Sequence, residues 1–390
     1  MKRAAVSTNV QIVSIVVAFL IGLGVMYAAA PSIVGASTTT VTSTSTVVSN
    51  TTVTVPSGTG TTSSTSSSST SGSTSASKVF KIAYISTNSG PTYSYDQTQI
   101  AGLLAAAAAL NGSSLVNNDI FKVTYVWSVQ TGDYQSVAAS YAQQGYNLII
   151  PSNSAYESAT YTVASQYPNV QFFGVVFTGN LSSNVGTMTG DYWQIEYFSG
   201  IVAGLMTQTN KLGFVTAFQF PPVVEGINAF IAGAKLVNPN VTVYYAFSGD
   251  WSDPVKGTAA ANTLIADGVD IVAGMGDGQT NGVIQAAQSA GIKAIGYLGD
   301  ENSLAPNTVI TSTVWNTTAY YYKALQAAVH GTLGHQTYTL HLYPDHIGQL
   351  APYHGLVPNA TATKIAGYIQ QVDSGQIKVP ENTTLPANPS

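Results

Sequence analysis

Gly190-Asp191-Tyr192-Trp193-Gln194-Ile195-Glu196-Tyr197-Phe198-Ser199-Gly200-Ile201-Val202-Ala203-Gly204-Leu205-Met206, continuing through Thr207-Gln208-Thr209-Asn210 into Lys211-Leu212-Gly213-Phe214-Val215, is the stretch whose reading decides the fold. Asp191 suits a helix start, and Gln194 stands three residues on, where a capping-box partner belongs. Ser199, Gly200, Ala203 and Gly204 set small residues on one flank. Glycine inside a helix costs about 1 kcal/mol against alanine, so this spacing predicts a helix pressed against another backbone. From Leu212 to Thr216 the pattern becomes a short apolar strand. The helix is therefore expected to end one α/β lobe and the strand to open the next.

Working outward, strands and helices alternate on both sides. Upstream, strands are expected at 80–86, 121–127, 148–151 and 170–177, with helices at 94–110, 133–144 and 155–166. Downstream, strands are expected at 212–216, 241–247, 271–274, 292–297 and 309–314. The helices between and after them fall at 223–237, 253–267, 280–290, 317–330 and 361–373, and residues 338–342 read as extended. Asp253-Pro254 supplies a cap followed by proline at the first helical position. Such alternation implies parallel sheets with right-handed crossovers. The fold class is α/β, two doubly wound lobes. Lobe 1 is expected to take residues 78–210 and 315–380, lobe 2 residues 211–314, with 381–390 as a tail.

The flanking composition is expected to place the chain outside the cytoplasm. Lys2 and Arg3 precede an apolar run from Val10 to Ala30, and about 20 such residues span a bilayer. A retained membrane anchor within residues 1–36 is the expected reading, with a cleaved signal peptide and a secreted product as its alternative. Arg3-Ala4-Ala5-Val6 is similar to the processing site of archaeal pilin-like signals, after which the apolar segment is kept. Residues 37–77 are almost wholly Ser, Thr, Val and Gly and read as a disordered stalk. Sequons at Asn50, Asn111, Asn180, Asn240, Asn316, Asn359 and Asn382 are glycosylation candidates.

Composition removes several function classes. Only 7% of the 390 residues are charged and the net charge is −5, with no basic stripe for nucleic acid. There is no cysteine, which excludes disulfides and thiolate chemistry. The five histidines, at 330, 335, 341, 346 and 354, show no helical metal-pair spacing. No Gly-x-Ser-x-Gly elbow or P-loop is present. No enzyme activity, metal or cofactor is expected. So uncharged a surface also suits an acidic exterior, for which near-constant stability between about pH 2 and 7 is the expectation.

Ligands of open α/β sheets gather beyond the carboxyl ends of the strands. Those ends hold Asn88, Tyr95, Asn153, Tyr156, Phe218, Asp277, Gly278 and Asp300. Aromatic faces and carboxylates of this kind suit a neutral polar ring compound.

Tyr197–Gly204 followed by Lys211–Val215 resembles the signature of the basic membrane protein family, the purine-nucleoside-receptor-like substrate-binding proteins of ABC importers. Ser94-Tyr95-Asp96-Gln97 with Gly102, Phe230–Lys235 with Asn238-Pro239, Gly268-Val269-Asp270 and Gly282–Ala287 follow in the family's order. Ala294-Ile295-Gly296 with Asp300 and the closing Ser374–Pro380 complete it. The resemblance implies a type I periplasmic-binding-protein fold whose lobes close about a hinge on a solute, typically a purine nucleoside, and deliver it to permease subunits. It implies that Tyr95 stacks on the base, Asp96 contacts the base edge, and Asp277 and Asp300 hold ribose hydroxyls. Three departures stand out: Thr87–Pro91 replaces an acidic glycine-rich stretch, Ile227 stands where a second stacking Phe is usual, and Trp315 replaces a Lys. In the loop 153–158, Glu157 is the one acid. A cell-surface sugar-binding, sensory or adhesive receptor without transport is the alternative.

Overall fold

In the computed structural model, residues 78–90 and 94–389 are described; the expected anchor, the stalk and the Asn50 sequon lie outside them. The described chain packs as two compact units. The first comprises 78–90, Ile100–Met188 and Tyr320–Thr337; the second comprises 94–99, Thr189–Ala319 and 338–389. Among the described residues no helix is long and apolar enough to cross a membrane.

The first sheet contains β1 (Val79–Ile85), β2 (Ile120–Val126), β3 (Leu148–Pro151), β4 (Gln171–Val175), β5 (Val185–Gly190) and β11 (Thr337–Leu340), in the order β2-β1-β3-β4-β5-β11. The second contains β6 (Lys211–Thr216), β7 (Thr242–Phe247), β8 (Ile271–Met275), β9 (Lys293–Leu298), β10 (Val309–Trp315) and β12 (Gly348–Leu350), in the order β7-β6-β8-β9-β10-β12. The two sheets share one winding. The pairings β1–β2, β1–β3, β3–β4 and β4–β5 are parallel, as are β6–β7, β6–β8, β8–β9 and β9–β10; β12 runs antiparallel to β10. The inner strands β3 and β8 are buried at every residue, as expected of strands covered on both faces.

The helices are α1 (Ser94–Leu110), α2 (Tyr134–Gln143), α3 (Glu157–Gln166), α4 (Glu196–Met206), α5 (Pro221–Val237), α6 (Pro254–Ala266), α7 (Gly278–Ala290), α8 (Thr318–Val329) and α9 (Asn359–Asp373). Asp253 caps α6 as its sequence predicts, accepting from Val255 N at 2.8 Å and Lys256 N at 3.3 Å.

Three features depart from the sequence reading. Strands β5 and β12 were not expected. The capping box at Asp191 does not form: a 3-10 turn (Tyr192–Ile195) precedes α4, and the Asp191 side chain makes no cap bond. Asp191 instead accepts from Trp193 Nε1 at 3.3 Å and pairs with His341, while Gln194 Oε1 accepts from Leu342 N at 2.9 Å. The compact units are also cut elsewhere than the expected lobes. Helix α4 and residues 338–389 fall in the second unit, and 320–337 in the first.

The physical reason lies in the small residues of α4. A Cβ on Gly200 would stand 2.1 Å from Phe230 O, one on Gly204 2.7 Å from Ala234 O, and one on Gly233 2.0 Å from Tyr197 O. Helices α4 and α5 thus touch backbone to backbone inside the second unit. Around them Phe198, Ile201, Phe214, Ile227, Phe230 and Ile295 form one fully buried cluster.

Glu196 opens α4 at 1% exposure. Ser199 Oγ donates to its Oε2 at 2.7 Å and Thr313 Oγ1, on β10, to its Oε1 at 3.1 Å. Burial pushes its carboxyl up to about 7 from an ordinary 4.5, with the two hydroxyls opposing the rise. The unfolded chain therefore ionises between pH 4.5 and 7 while the folded chain stays protonated. The contribution of Glu196 to stability is complete below pH 4.5 and lost as pH rises through 7, on the order of 3 kcal/mol in all, which departs from the near-constant stability that the composition suggests.

Gly200→Ala and Gly233→Ala each destabilise by about 1–3 kcal/mol through overpacking. Gly367→Ala in α9, where a Cβ meets nothing within 4 Å, stabilises by up to about 1 kcal/mol; urea denaturation measures all three. Glu196→Gln flattens the fall in melting temperature between pH 4.5 and 7, read by calorimetry against the parent chain.

Candidate functional site

In the second unit the carboxyl ends of β6 to β10 open onto one edge of the sheet; Phe218, Asp277, Gly278 and Asp300 follow strands there, and Trp315 is the last residue of β10. The first turn of α1 adds Tyr95 and Asp96. Thr98 Oγ1 donates to Leu298 O at 3.0 Å and Thr317 Oγ1 donates to Thr98 O at 3.0 Å, which fixes that turn beside the ends of β9 and β10.

Trp315 is the centre of the constellation. Tyr192 stacks on it with centroids 3.7 Å apart and planes at 9°. Tyr95 meets it edge-on at 6.4 Å and Tyr297 at 5.7 Å. The Tyr95 amide donates to Asp277 Oδ1 at 3.4 Å. Asp96 is fully buried. Burial holds the Tyr95 hydroxyl well above its ordinary range, and the nearby Asp96 and Asp277 carboxylates add to the effect. Tyr297 is raised likewise, first by burial and then by Glu196. Both phenols therefore stay protonated and able to donate.

Farther along the same edge Phe218 and Phe220 are 43% and 42% exposed and flank Trp251 edge-on, with centroids 5.8 and 6.0 Å away. Exposed aromatic rings of this kind offer stacking faces. Neither Trp251 nor Tyr192 was singled out from the sequence. The available signal for Trp251 was its position in the loop after β7, between Asp250 and the Ser252-Asp253 cap.

The remaining expected residues are held differently. Asp300 is exposed, pairs with His354 Nε2 at 2.9 Å through Oδ2, and accepts from Asn302 N at 3.2 Å through Oδ1. Gly278 carries no side chain for a packing reason, since a Cβ there would stand 2.4 Å from Ser252 O. Ile227 is wholly inside the core of the second unit.

In the first unit, Asn88 O accepts from Ser128 N at 2.7 Å. Asn153 Oδ1 accepts from Ala155 N at 3.0 Å and so caps a short turn. Tyr156 is fully buried, its ring stacked on Tyr134 at 4.2 Å and its hydroxyl donating to Val129 O, so the core uses both ring and hydroxyl. Glu157 accepts from Thr178 N at 2.8 Å and Gly179 N at 2.6 Å, closing the loop after β4.

The glycosylation candidates divide by geometry. Asn180, Asn240, Asn359 and Asn382 are exposed, whereas Asn316 Nδ2, the atom a glycan would take, donates to His346 O at 3.2 Å. Asn111 is half-buried, its Oδ1 accepting from Phe121 N at 2.8 Å. Among the described residues no three His, Asp or Glu side chains are grouped to hold a metal ion.

Known proteins resemble this chain in sequence and in fold. A purine-binding protein of Brucella abortus is 32% identical over 216 residues, 55% of this chain and 61% of the relative. A protein of Haloferax volcanii named as an ABC transporter glucose-binding protein is 31% identical over 215 residues, 55% of this chain and 54% of the relative. The matches thus span little more than half the length of these relatives. The solved structure of an ABC transporter solute-binding protein from Conexibacter woesei superposes with a TM-score of 0.61 at 23% identity, covering 77% of this chain and 99% of the other, which places the fold among binding proteins of the periplasmic type. The family model of PnrA-like ABC transporter substrate-binding proteins matches residues 57–383, and the chain belongs to that family, Bmp.

Proposed function

We propose that this protein is the extracytoplasmic solute-binding component of an ABC importer and captures a small polar solute, a purine nucleoside before others. The carrying observation is the constellation around Trp315: four aromatic rings, two of them phenols kept protonated, with Asp277 and Asp96 beside them. A purine offers a flat face to the rings and donor groups to the carboxylates, and its ribose hydroxyls bond to the same acceptors. Membership of a substrate-binding family supports binding rather than catalysis, and the purine-binding relative supports the choice of solute.

Closure about a hinge, handover to permease subunits, and the anchor and stalk read from the sequence belong to the same proposal. In it, solute stabilises the closed form because that form binds it more tightly. A sugar is the second reading, favoured by the glucose-binding name of the Haloferax relative and by the exposed rings of Phe218, Phe220 and Trp251. A receptor without transport would use the same site.

Calorimetric titration of the full chain with inosine, guanosine, adenosine and glucose is expected to give saturable binding to a nucleoside. Asp277→Asn weakens it at least tenfold, about 1.4 kcal/mol, whereas Asp300→Asn weakens it less because Asp300 is engaged with His354. Tight glucose binding with no nucleoside binding selects the sugar reading.

A further inference from the structure

Strand β7 ends the second sheet, with β6 as its neighbour. Thr242 N donates to Asn210 O at 2.8 Å and Ser248 N to Thr216 O at 2.7 Å, so the even-numbered amides of β7 face β6. Its odd-numbered amides, at Val243, Tyr245 and Phe247, therefore point outward. A bare edge of this kind is a template for pairing with another chain.

Residues beyond α9 cross this edge. Asn228 Nδ2, on α5, donates to Asn382 O at 2.7 Å and Thr384 O at 3.0 Å. Leu385 packs against the buried cluster of the second unit. Tyr245 donates from its hydroxyl to Pro386 O at 2.7 Å. At the centre of β7 the Asn388 side chain takes the place of a strand: its Oδ1 accepts from Tyr245 N at 3.1 Å and its Nδ2 donates to Tyr245 O at 2.9 Å. One primary amide thus supplies the donor and acceptor that a neighbouring backbone residue would supply.

The segment is unable to act as a further strand. Pro386 and Pro389 flank Asn388 and lack N–H groups, so no ladder propagates from its outer side.

We propose that residues 381–389 are an edge guard, a strap whose Asn388 closes the β7 ladder and keeps a second copy of this chain from adding its own β7 there. The guard acts at Tyr245, whose outward N–H and C=O are both taken by Asn388. The tail is therefore a working part of the second unit.

The test uses hydrogen exchange at the Tyr245 amide together with light scattering. The parent chain is expected to be monomeric with that amide protected. Asn388→Ala should speed its exchange at least tenfold while the Thr242 amide, which faces β6, keeps its rate. Deleting 381–390 should produce concentration-dependent association in which the Tyr245 amide is protected again by the new strand. An unchanged Tyr245 rate in Asn388→Ala overturns the proposal. So does a deleted chain that stays monomeric, or one that aggregates with Tyr245 still exchanging. Should the deletion fail to fold, the Asn228→Ala/Asn388→Ala chain takes its place with the same readings.

Discussion

The second unit depends on the contact between the backbones of α4 and α5. Tyr197 O and Phe230 O lie where side-chain carbons would stand on Gly233 and Gly200, so neither helix can slide or roll without a clash. Packed interiors give little when a carbon is added. That contact fixes the rotation of α4, and with it the direction of Glu196 at its first turn. Glu196 reaches β10 through Thr313, two residues before Trp315, and Tyr192 from the preceding turn stacks on the same indole. Glycine packing, a buried acid and the aromatic centre of the site are thus consecutive links in one chain of contacts.

The buried acid sets the character of that centre. A carboxyl whose ionisation burial pushes up to about 7 sits close to a phenol whose proton is held still more firmly, so the interior beneath the candidate site is polar and mostly uncharged at mildly acid pH. The carboxyl groups of Asp96 and Asp277 lie beside the Tyr95 end of the same constellation. Under the proposed function, such a constellation would engage a neutral solute through hydrogen bonds and ring contact. The low share of charged residues in the whole chain, 7%, is of a piece with this chemistry.

Much of the architecture was legible because alternation and small-residue spacing are local signals with one strong physical meaning each. Helix α1 runs over the residues its pattern predicts, and Asp253 caps α6 as a short polar side chain before proline should. Strand β5, Val-Gly-Thr-Met-Thr-Gly, escaped notice because two of its six residues are glycine; Gly186 is demanded by Leu333 O, distant in sequence, 2.6 Å from where its Cβ would be. Strand β12 is three residues long and gains its identity only from pairing with β10. Asp191 and Gln194 have the spacing of a capping box, but His341 and Leu342 offered partners that no local pattern records. The compact units differ from the expected lobes for a related reason, since α4 packs against α5, which follows it in the chain. At the candidate site, Tyr95 and Asp277 were named from strand ends and family likeness, and the fold brings the Tyr95 amide to Asp277. Tyr192 was hidden because stacking on Trp315 joins positions 123 residues apart.

Native mass spectrometry of the full chain mixed with purine nucleosides and hexoses tests the central claim most directly. The account predicts a single bound molecule per chain, a nucleoside selected from the mixture, and its loss when Trp315 is replaced by alanine with the fold intact. A chain that carries no small polar molecule from the mixture at any concentration would contradict it.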